Sequence, residues 1–322
     1  MKLITLLLTG LWLVSSNSSA VQLRHDHRGE VLIFPFFSAE NGWESLIHIS
    51  RSEQGNSKLL KLRVREGING KEVNSFNIYT HHSENWRASI SRDANNHVVL
   101  HIVEGRCIVA SNLESGGAGS QFQLGASMGT IEIYKIELSP TFSEATDCGD
   151  IAARWKPQGI WLANPLADLR DTSNSTISAE MTLLNVKNGL AASYTATALS
   201  QFKDKDIEKN QISHTSPFDP SPNLSEANPL VTSMIGVDVV PESGEGIDAV
   251  ATVLNHDVYE NDVVNEESIG ARTDWVISYP LTGYKNHRPI TVTIDGNERH
   301  CETFKLPPVE GEPIIESESA IL

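Results

Sequence analysis

Alternating apolar and polar positions predict that the first part of the chain folds as a series of β-strands. Between Leu60 and Arg65, every second residue is Leu or Val and the residues between them are Lys or Arg. Because successive side chains of a strand point to opposite faces of a sheet, this pattern predicts a strand with one buried face and one solvent-exposed face. The segment from Val31 to Phe37 is apolar nearly throughout but contains Pro35, which cannot donate to a neighbouring strand. Pro35 therefore favours an edge strand or a bulge.

Similar strand patterns recur along the chain, separated by turn residues. A hairpin is predicted over residues 84–103, and a second one is predicted around the turn Lys187-Asn188-Gly189, since Asn-Gly is a strong hairpin signal. Further strands are predicted at 47–50, 73–80, 130–137, 274–279 and 289–294. Many short strands with turns between them predict a mainly β fold of antiparallel, Ig-like β-sandwich units.

Two segments have the spacing of helices. In the segment from Cys148 to Trp155, apolar residues lie four apart, and Pro157 ends the pattern. From Ile247 to Leu254 the apolar residues also recur at helical spacing, which predicts a short amphipathic helix. We therefore expect a few short helices beside the strands.

Residues 1–20 are predicted to be a signal peptide. Lys2 precedes an apolar run from Leu3 to Val14, and Ser18-Ser19-Ala20 supplies the small residues of a cleavage site. The alternative is an uncleaved membrane anchor, but the run is about eight residues shorter than a bilayer span. The expected protein is exported and is periplasmic, outer-membrane-associated or extracellular, with no membrane span after cleavage.

The remaining length supports two domains. We assign residues 21–140 to an N-terminal β-sandwich domain and residues 148–306 to a second β-rich domain with short helices. Residues 307–322 are rich in Pro and Glu, which predicts a flexible acidic tail.

The formal net charge of −16 bears on the partners of the protein. A chain this acidic repels nucleic acid and anionic membrane surfaces. The expected partners are therefore envelope proteins or glycans.

Three cysteines allow one disulfide bond in an exported chain. Cys107 and Cys148 are the favoured pair, because each lies at the border of a predicted strand or helix. Cys301 is then left over. The cysteine spacings match neither a zinc ribbon nor a CxxC redox pair.

Several histidines are candidate metal ligands. His25 and His27 flank Asp26 close to the predicted cleavage site, and His81 and His82 follow a predicted strand. The more ordinary interpretation is an exposed N-terminal segment with incidental metal affinity, and nothing in the sequence brings these residues together with His97 or His101. No cofactor is predicted, although a divalent cation fits the acidic composition.

Two further groups of residues have both a functional and a structural interpretation. The Asx-rich loop of Asp93, Asn95 and Asn96 offers oxygen ligands to calcium, yet it is also typical of a β-turn. Asp248 and Asp274 are candidate catalytic carboxylates for glycoside hydrolysis, although Arg272 offers Asp274 a structural ion pair.

Aromatic side chains are a third such group. Trp43, Trp86 and Trp161 could stack on sugars, but the core of a sandwich is the more ordinary place for them.

Several runs of sequence resemble an uncharacterised family of exported bacterial proteins known as hypothetical or cell-surface proteins. These runs are GEVLIFPFF, ESLIHISR, KLLKLRVREGINGKEVNSFNIYTHHSENWRASI, GIDAVATVLNHDVYEN and SIGARTDWVISYP. The resemblance implies a structural role for these motifs and supplies no catalytic residue.

The expected function is that of an exported, non-catalytic structural or binding protein of the bacterial envelope or surface. The alternatives are an extracytoplasmic hydrolase acting on carbohydrate and a subunit of a surface assembly. In the assembly, the strand from Val31 to Phe37 would pair edge to edge with a neighbour.

Overall fold

The fold is given by a computed structural model that describes a set of segments of the chain. These are residues 21–51, 58–80, 85–138, 147–164, 167–169, 177–203, 221–228, 246–254, 280–281 and 284, with the backbone of four short strands between residues 290 and 317. The predicted signal peptide and the predicted strand at 274–279 lie outside the described residues.

Eighteen strands and three short α-helices make up the regular structure of the described residues. The strands are β1 (Gln22–Arg24), β2 (Val31–Ser38), β3 (Glu44–Arg51), β4 (Lys58–Glu66), β5 (Glu72–Thr80), β6 (Trp86–Arg92), β7 (Val98–Glu104), β8 (Cys107–Ala110), β9 (Ser115–Gly116), β10 (Gln121–Gln123), β11 (Met128–Glu137), β12 (Ile177–Asn185), β13 (Leu190–Thr195), β14 (Thr197–Ser200), β15 (Ile290–Ile294), β16 (Asn297–Cys301), β17 (Phe304–Lys305) and β18 (Glu316–Ser317). The helices are α1 (Cys148–Ala153), α2 (Ile160–Ala163) and α3 (Ile247–Leu254), with 3-10 turns at Val186–Asn188 and Leu224–Glu226.

The first fourteen strands form two antiparallel sheets. The eight-stranded sheet has the order β1-β14-β2-β11-β4-β5-β8-β9, and the six-stranded sheet has the order β10-β7-β6-β3-β12-β13. Their facing sides share one apolar core, to which the larger sheet contributes Phe34 and Leu62 and the smaller one contributes Ile47 and Leu100. The predicted mainly antiparallel, sandwich-like fold is therefore confirmed, while the Ig-like assignment stays a prediction. Strands β15 to β18 form two separate two-stranded sheets.

Strand β2 is an interior strand, which corrects one interpretation of Pro35. It lies between β14 and β11. Its register with β11 shifts between Gly129 and Ile131, opposite the position of Pro35, and β14 pairs with β2 only as far as Ile33. Pro35 thus lies at a bulge and beyond the end of β14, where its missing N–H is tolerated. The bulge alternative is confirmed, and the edge alternative is wrong.

Both predicted hairpins are present. Strands β6 and β7 pair antiparallel, and so do β12 and β13. In the second hairpin, Gly189 takes a left-handed backbone with φ of 66° and the Asn185 side chain accepts from the N–H of Asn188 at 3.2 Å. Gly189 thus supplies the left-handed residue of the turn, and Asn185 caps its 3-10 segment.

The two predicted domains share both sheets. Strand β12 pairs with β3, and β14 pairs with both β1 and β2. The chain passes from one sheet to the other at the buried Ala196. The boundary predicted at residues 140–148 therefore does not separate the sheets, because residues 177–200 complete them.

The predicted helices occur at the expected places. Helix α1 begins after Asp147, whose carboxylate accepts from the N–H of Gly149 at 2.7 Å and caps the helix. Helix α3 has the predicted bounds and buries Val250 and Leu254. No helix among the described residues has the length and apolar character that a membrane crossing requires.

Candidate functional site

The outer face of the eight-stranded sheet is covered, although the alternation in β4 predicted a solvent-exposed face. Lys61 and Arg63 are fully buried, and Arg65 is 7 % exposed. Three parts of the chain provide the cover: α1 with α2, the turn at Leu224–Glu226, and α3. The polar side of β4 therefore faces a second protein layer instead of water, which corrects the expectation.

A network centred on a buried carboxylate lies in this layer. Glu132 of β11 has no exposed surface. One of its oxygens accepts from Arg65 Nε at 2.6 Å, and the other accepts from the Tyr134 hydroxyl at 2.7 Å. The Tyr284 hydroxyl lies 2.8 Å from both oxygens. We call Arg65, Glu132, Tyr134 and Tyr284 the Glu132 network.

Tyr284 connects distant parts of the chain through this network. Its hydroxyl accepts from Arg65 Nη2 at 2.7 Å and from the N–H of Leu224 at 3.3 Å. The Arg65 guanidinium also lies over the Tyr284 ring, 4.2 Å from its centroid. Residues that are 219 positions apart are thereby held against one sheet.

Arg63 makes a second connection of the same kind. Its Nε donates to the carbonyl of Pro222 at 2.7 Å, and its Nη1 forms an ion pair with Glu72. The planar fork of Arg thus bonds a hairpin neighbour and a segment 159 residues away. Both Arg63 and Arg65 connect β4 to the layer that covers it.

The charges of the network alter the pKa values of its members. Burial lowers the pKa of Arg65, but the negative charge of Glu132 and the neighbouring phenols outweigh it, so this pKa lies above its ordinary value. Burial, reinforced by the Glu132 carboxylate, raises the pKa of both Tyr134 and Tyr284. Both phenols therefore stay protonated at neutral pH and donate to Glu132.

We expect this protein to lose stability above about pH 10. A phenol whose pKa is higher in the folded state stabilises the fold below its unfolded pKa, and this contribution falls as the pH rises beyond that value. Tyr134, Tyr284 and the buried Tyr79 all have raised pKa values. Each of these three phenols should lower the free energy of unfolding by about 1.4 kcal/mol for every pH unit above pH 10.

Denaturant unfolding from pH 8 to pH 11.5, combined with tyrosinate absorbance, measures this effect. The phenols of Tyr79, Tyr134 and Tyr284 should ionise only at the pH at which the protein unfolds. Ionisation of all tyrosines near pH 10 in a folded protein would contradict the prediction.

The Glu132 network suits a structural role better than a catalytic one. Its carboxylate is enclosed, and its acceptor positions are occupied by Arg65, Tyr134 and Tyr284. A neighbouring cleft beside Tyr134 and Pro222 has a volume of about 20 Å³, which is room for about one water molecule. A substrate has no access to Glu132 through such an opening.

The two histidines near the start of the chain lie in an ordered turn. His25 and His27 are both exposed. Between them, Asp26 accepts from Arg24 at 2.5 and 3.1 Å and from the N–H of Arg28 at 3.3 Å. The bond from Arg24 lowers the pKa of Asp26 to about 2. The hydrogen bonds that Asp26 accepts from Arg24 and from Arg28 are therefore sufficient to hold this turn.

The other predicted ligands are dispersed. His81 and His82 lie outside the described residues. His101 is on β7, while His97 closes the turn before it, with Nδ1 at 3.5 Å from Asp93. In the part of the chain that the structure describes, no three His, Cys, Asp or Glu side chains are grouped so that they could hold a metal ion.

The Asx-rich loop is a β-turn. One oxygen of Asp93 accepts from the N–H of Asn95 at 2.9 Å and of His97 at 2.8 Å, and these bonds lower the pKa of Asp93. Asn96 has φ of 65°, which Asn tolerates. The turn interpretation of Asp93, Asn95 and Asn96 is confirmed, because Asp93 directs this oxygen at backbone donors.

The predicted carboxylate pair cannot be assembled from the described residues. Asp248 lies in the first turn of α3 and is half-buried, and its carbonyl accepts from the Thr252 hydroxyl at 2.8 Å. Asp274 lies outside the described residues. The hydrolase interpretation therefore stays a prediction.

Two of the three candidate tryptophans are core residues. Trp86 is buried between the sheets, and Trp161 of α2 is buried against the outer face of the eight-stranded sheet. The Trp161 ring stacks on Tyr79 at 5.6 Å, and Trp155 Nε1 donates to the Tyr79 hydroxyl at 3.2 Å. The sugar-stacking interpretation is wrong for Trp86 and Trp161, because neither ring has an exposed face. Trp43 is partly buried against the core.

A disulfide bond joins Cys107 of β8 to Cys148 of α1. This is the pairing that the sequence favoured. The bond ties α1 to the sheet next to the cluster of Tyr79, Trp155 and Trp161. Cys301 lies on β16, of which only the backbone is described.

The outer face of the six-stranded sheet is different, because it is open to solvent. Its side chains come from all six strands of the sheet, as the registers of those strands show. We define the open face by Leu46, His48, Arg87, Ser89, His101, Gln121, Glu180, Thr182 and Ser193, all of which are exposed or half-buried. It mixes acidic, basic and neutral polar groups on one exposed surface. The sequence did not identify this face as the exposed one. Its strands show the same alternation of apolar and polar residues as β4, whose polar side is covered.

Comparison with known proteins adds no relative. No protein-family model matches the chain, and searches of curated proteins and of solved structures found no significant match. The resemblance to exported bacterial proteins therefore stays a prediction.

Proposed function

We propose that this protein is an exported, non-catalytic structural or binding protein of the bacterial cell envelope or surface. The observation that supports this proposal best is the contrast between the two outer faces. One face carries buried charges that hold chain segments together, and the other presents a mixed polar surface to solvent. A broad exposed sheet face suits contact with macromolecules, whereas catalysis usually takes place in a concave pocket.

The open face also indicates which partners fit. It carries both signs of charge, with Arg87 next to His48 on one side and Glu180 next to it on the other. The whole chain has a net charge of −16, so nucleic acid and anionic membranes are unfavourable partners. Envelope proteins and glycans, which need hydrogen bonds more than net charge, are the proposed partners.

The first test is cell fractionation with protease treatment of intact cells that carry the tagged native protein. We expect the protein to lie in the envelope fraction or in the medium. Loss to external protease would place it on the surface, and survival until the envelope is opened would place it in the periplasm. Retention of the full-length chain in the cytoplasm would overturn the proposal.

A second test separates binding from hydrolysis. The purified protein should retain envelope glycans or envelope proteins on a column and should release no reducing sugar from them. Arg87→Ala should weaken retention on the column, while Lys71→Ala, in the turn between β4 and β5, should not. Sugar release that Asp248→Asn abolishes would support the carbohydrate hydrolase instead.

A further inference from the structure

Strand β13 is an open edge of the sandwich. It is the last strand in the order of the six-stranded sheet, and no second neighbour pairs with it among the described residues. Five of its six residues are exposed, and Leu190 is 50 % exposed. The turn beside it adds Val186, which is 71 % exposed.

The free backbone groups of β13 can be identified from its pairing with β12. The N–H of Ala196 donates to the carbonyl of Ala179 at 2.9 Å, in the same register as the β12–β13 pair. Hydrogen-bonded and non-bonded residue pairs alternate along antiparallel strands. The N–H and C=O groups of Ala191, Ser193 and Thr195 therefore point away from β12, toward the open side.

The other edges of the two sheets are protected and β13 is not. Strands β1, β9 and β10 have three, two and three residues, respectively. Short edge strands, charges, prolines and bulges are the usual means of preventing edge pairing. Strand β13 has the sequence LAASYT and a regular register over six residues, with no charge and no proline.

We propose that β13 pairs antiparallel with β13 of a second copy of this chain. The free groups of Ala191, Ser193 and Thr195 are symmetric about Ser193, so a two-fold axis at Ser193 pairs it with itself and pairs Ala191 with Thr195. The two six-stranded sheets then become one continuous sheet. The interface is isologous, as in most homodimers.

The charge distribution favours a second copy of the chain as the partner of β13. With a net charge of −16, two copies repel each other over most of their surfaces. Strand β13 carries no charge, so two copies can approach along it without placing like charges opposite each other. Leu190, which is 50 % exposed in the single chain, lies at each end of the paired strands, opposite Ala196 of the second copy.

The size of the contact predicts a weak, concentration-dependent dimer. Stable interfaces bury roughly 1,200 Å² or more, and one pair of six-residue strands buries less than that. We therefore expect sedimentation or light scattering to show monomer at low concentration and a growing fraction of dimer as the concentration rises.

Cysteine crosslinking of the purified chain in a Cys301→Ser background tests the register. In the proposed pairing, the two Ser193 Cα atoms lie about 5.5 Å apart, which permits a disulfide. The two Thr195 Cα atoms lie about 13 Å apart along the strands, which does not. Ser193→Cys should form at least tenfold more oxidised dimer than the matched variant Thr195→Cys.

A charge test uses the same position. Ser193→Lys places two like charges opposite each other and should weaken dimerisation at least tenfold, while Gln121→Lys on the opposite edge should change it less than twofold. An unchanged melting temperature verifies that both variants fold. Monomer at every concentration, equal crosslinking at the two cysteine positions, or a foreign strand as the only partner would overturn the proposal.

Discussion

Replacing Glu132 by alanine is expected to lower the free energy of unfolding by about 3–5 kcal/mol, because it removes one partner of a buried ion pair. Arg65 is nearly buried, and its guanidinium would lose its charged acceptor. The hydroxyls of Tyr134 and Tyr284 would lose their common acceptor at the same time. A single substitution thus leaves one charge and two phenols with unsatisfied donors in the interior.

Urea unfolding followed by tryptophan fluorescence measures this loss. The matched control is Glu180→Ala on the open face, which should change the free energy of unfolding by no more than about 0.5 kcal/mol. Tyr284→Phe removes one hydroxyl and keeps the ring over Arg65, so it should cost about 1 kcal/mol. If Glu132→Ala lowers the free energy of unfolding by less than about 1 kcal/mol, the bonds of the Glu132 network are not formed in solution.

The polar side of β4 shows what the sequence pattern cannot predict. The period-two pattern identified the strand and its apolar face, because alternation is a local property. It could not distinguish solvent from a buried polar layer, because the groups of that layer that Arg63 and Arg65 bond, at Pro222 and Tyr284, lie 159 and 219 residues away. One signal in the sequence was available: Glu132 lies on an alternating strand of its own and can compensate a basic face on a neighbouring strand.

Local signals explain which elements were predicted well. The turn at Asn188-Gly189 and the apolar spacing of α3 both act within a few residues, so the hairpin and the helix were predicted correctly. The neighbours of β2 are set by pairings with β11 and β14, which follow about 100 and 160 residues later. No pattern within β2 contains that information, which is why Pro35 indicated two alternatives.

Replacing both Cys107 and Cys148 by serine is expected to lower the free energy of unfolding by about 3–4 kcal/mol. The two cysteines are 41 residues apart, and closing a loop of this length restricts the unfolded chain by roughly that amount. The bond also holds α1 beside the buried rings of Trp155 and Trp161. Tryptophan fluorescence should therefore shift to longer wavelength at a lower urea concentration in the double variant.

Reduction of the native protein should reproduce the double variant, and Cys301→Ser, which leaves this bond intact, should unfold like the native chain. Disulfides form in oxidising compartments and rarely in the cytoplasm. The reduced chain should consequently be less stable than the oxidised chain, by the same 3–4 kcal/mol or about a hundredfold or more in its folding equilibrium. If the reduced and oxidised chains unfold at the same urea concentration, the bond adds nothing to stability, and the prediction is wrong.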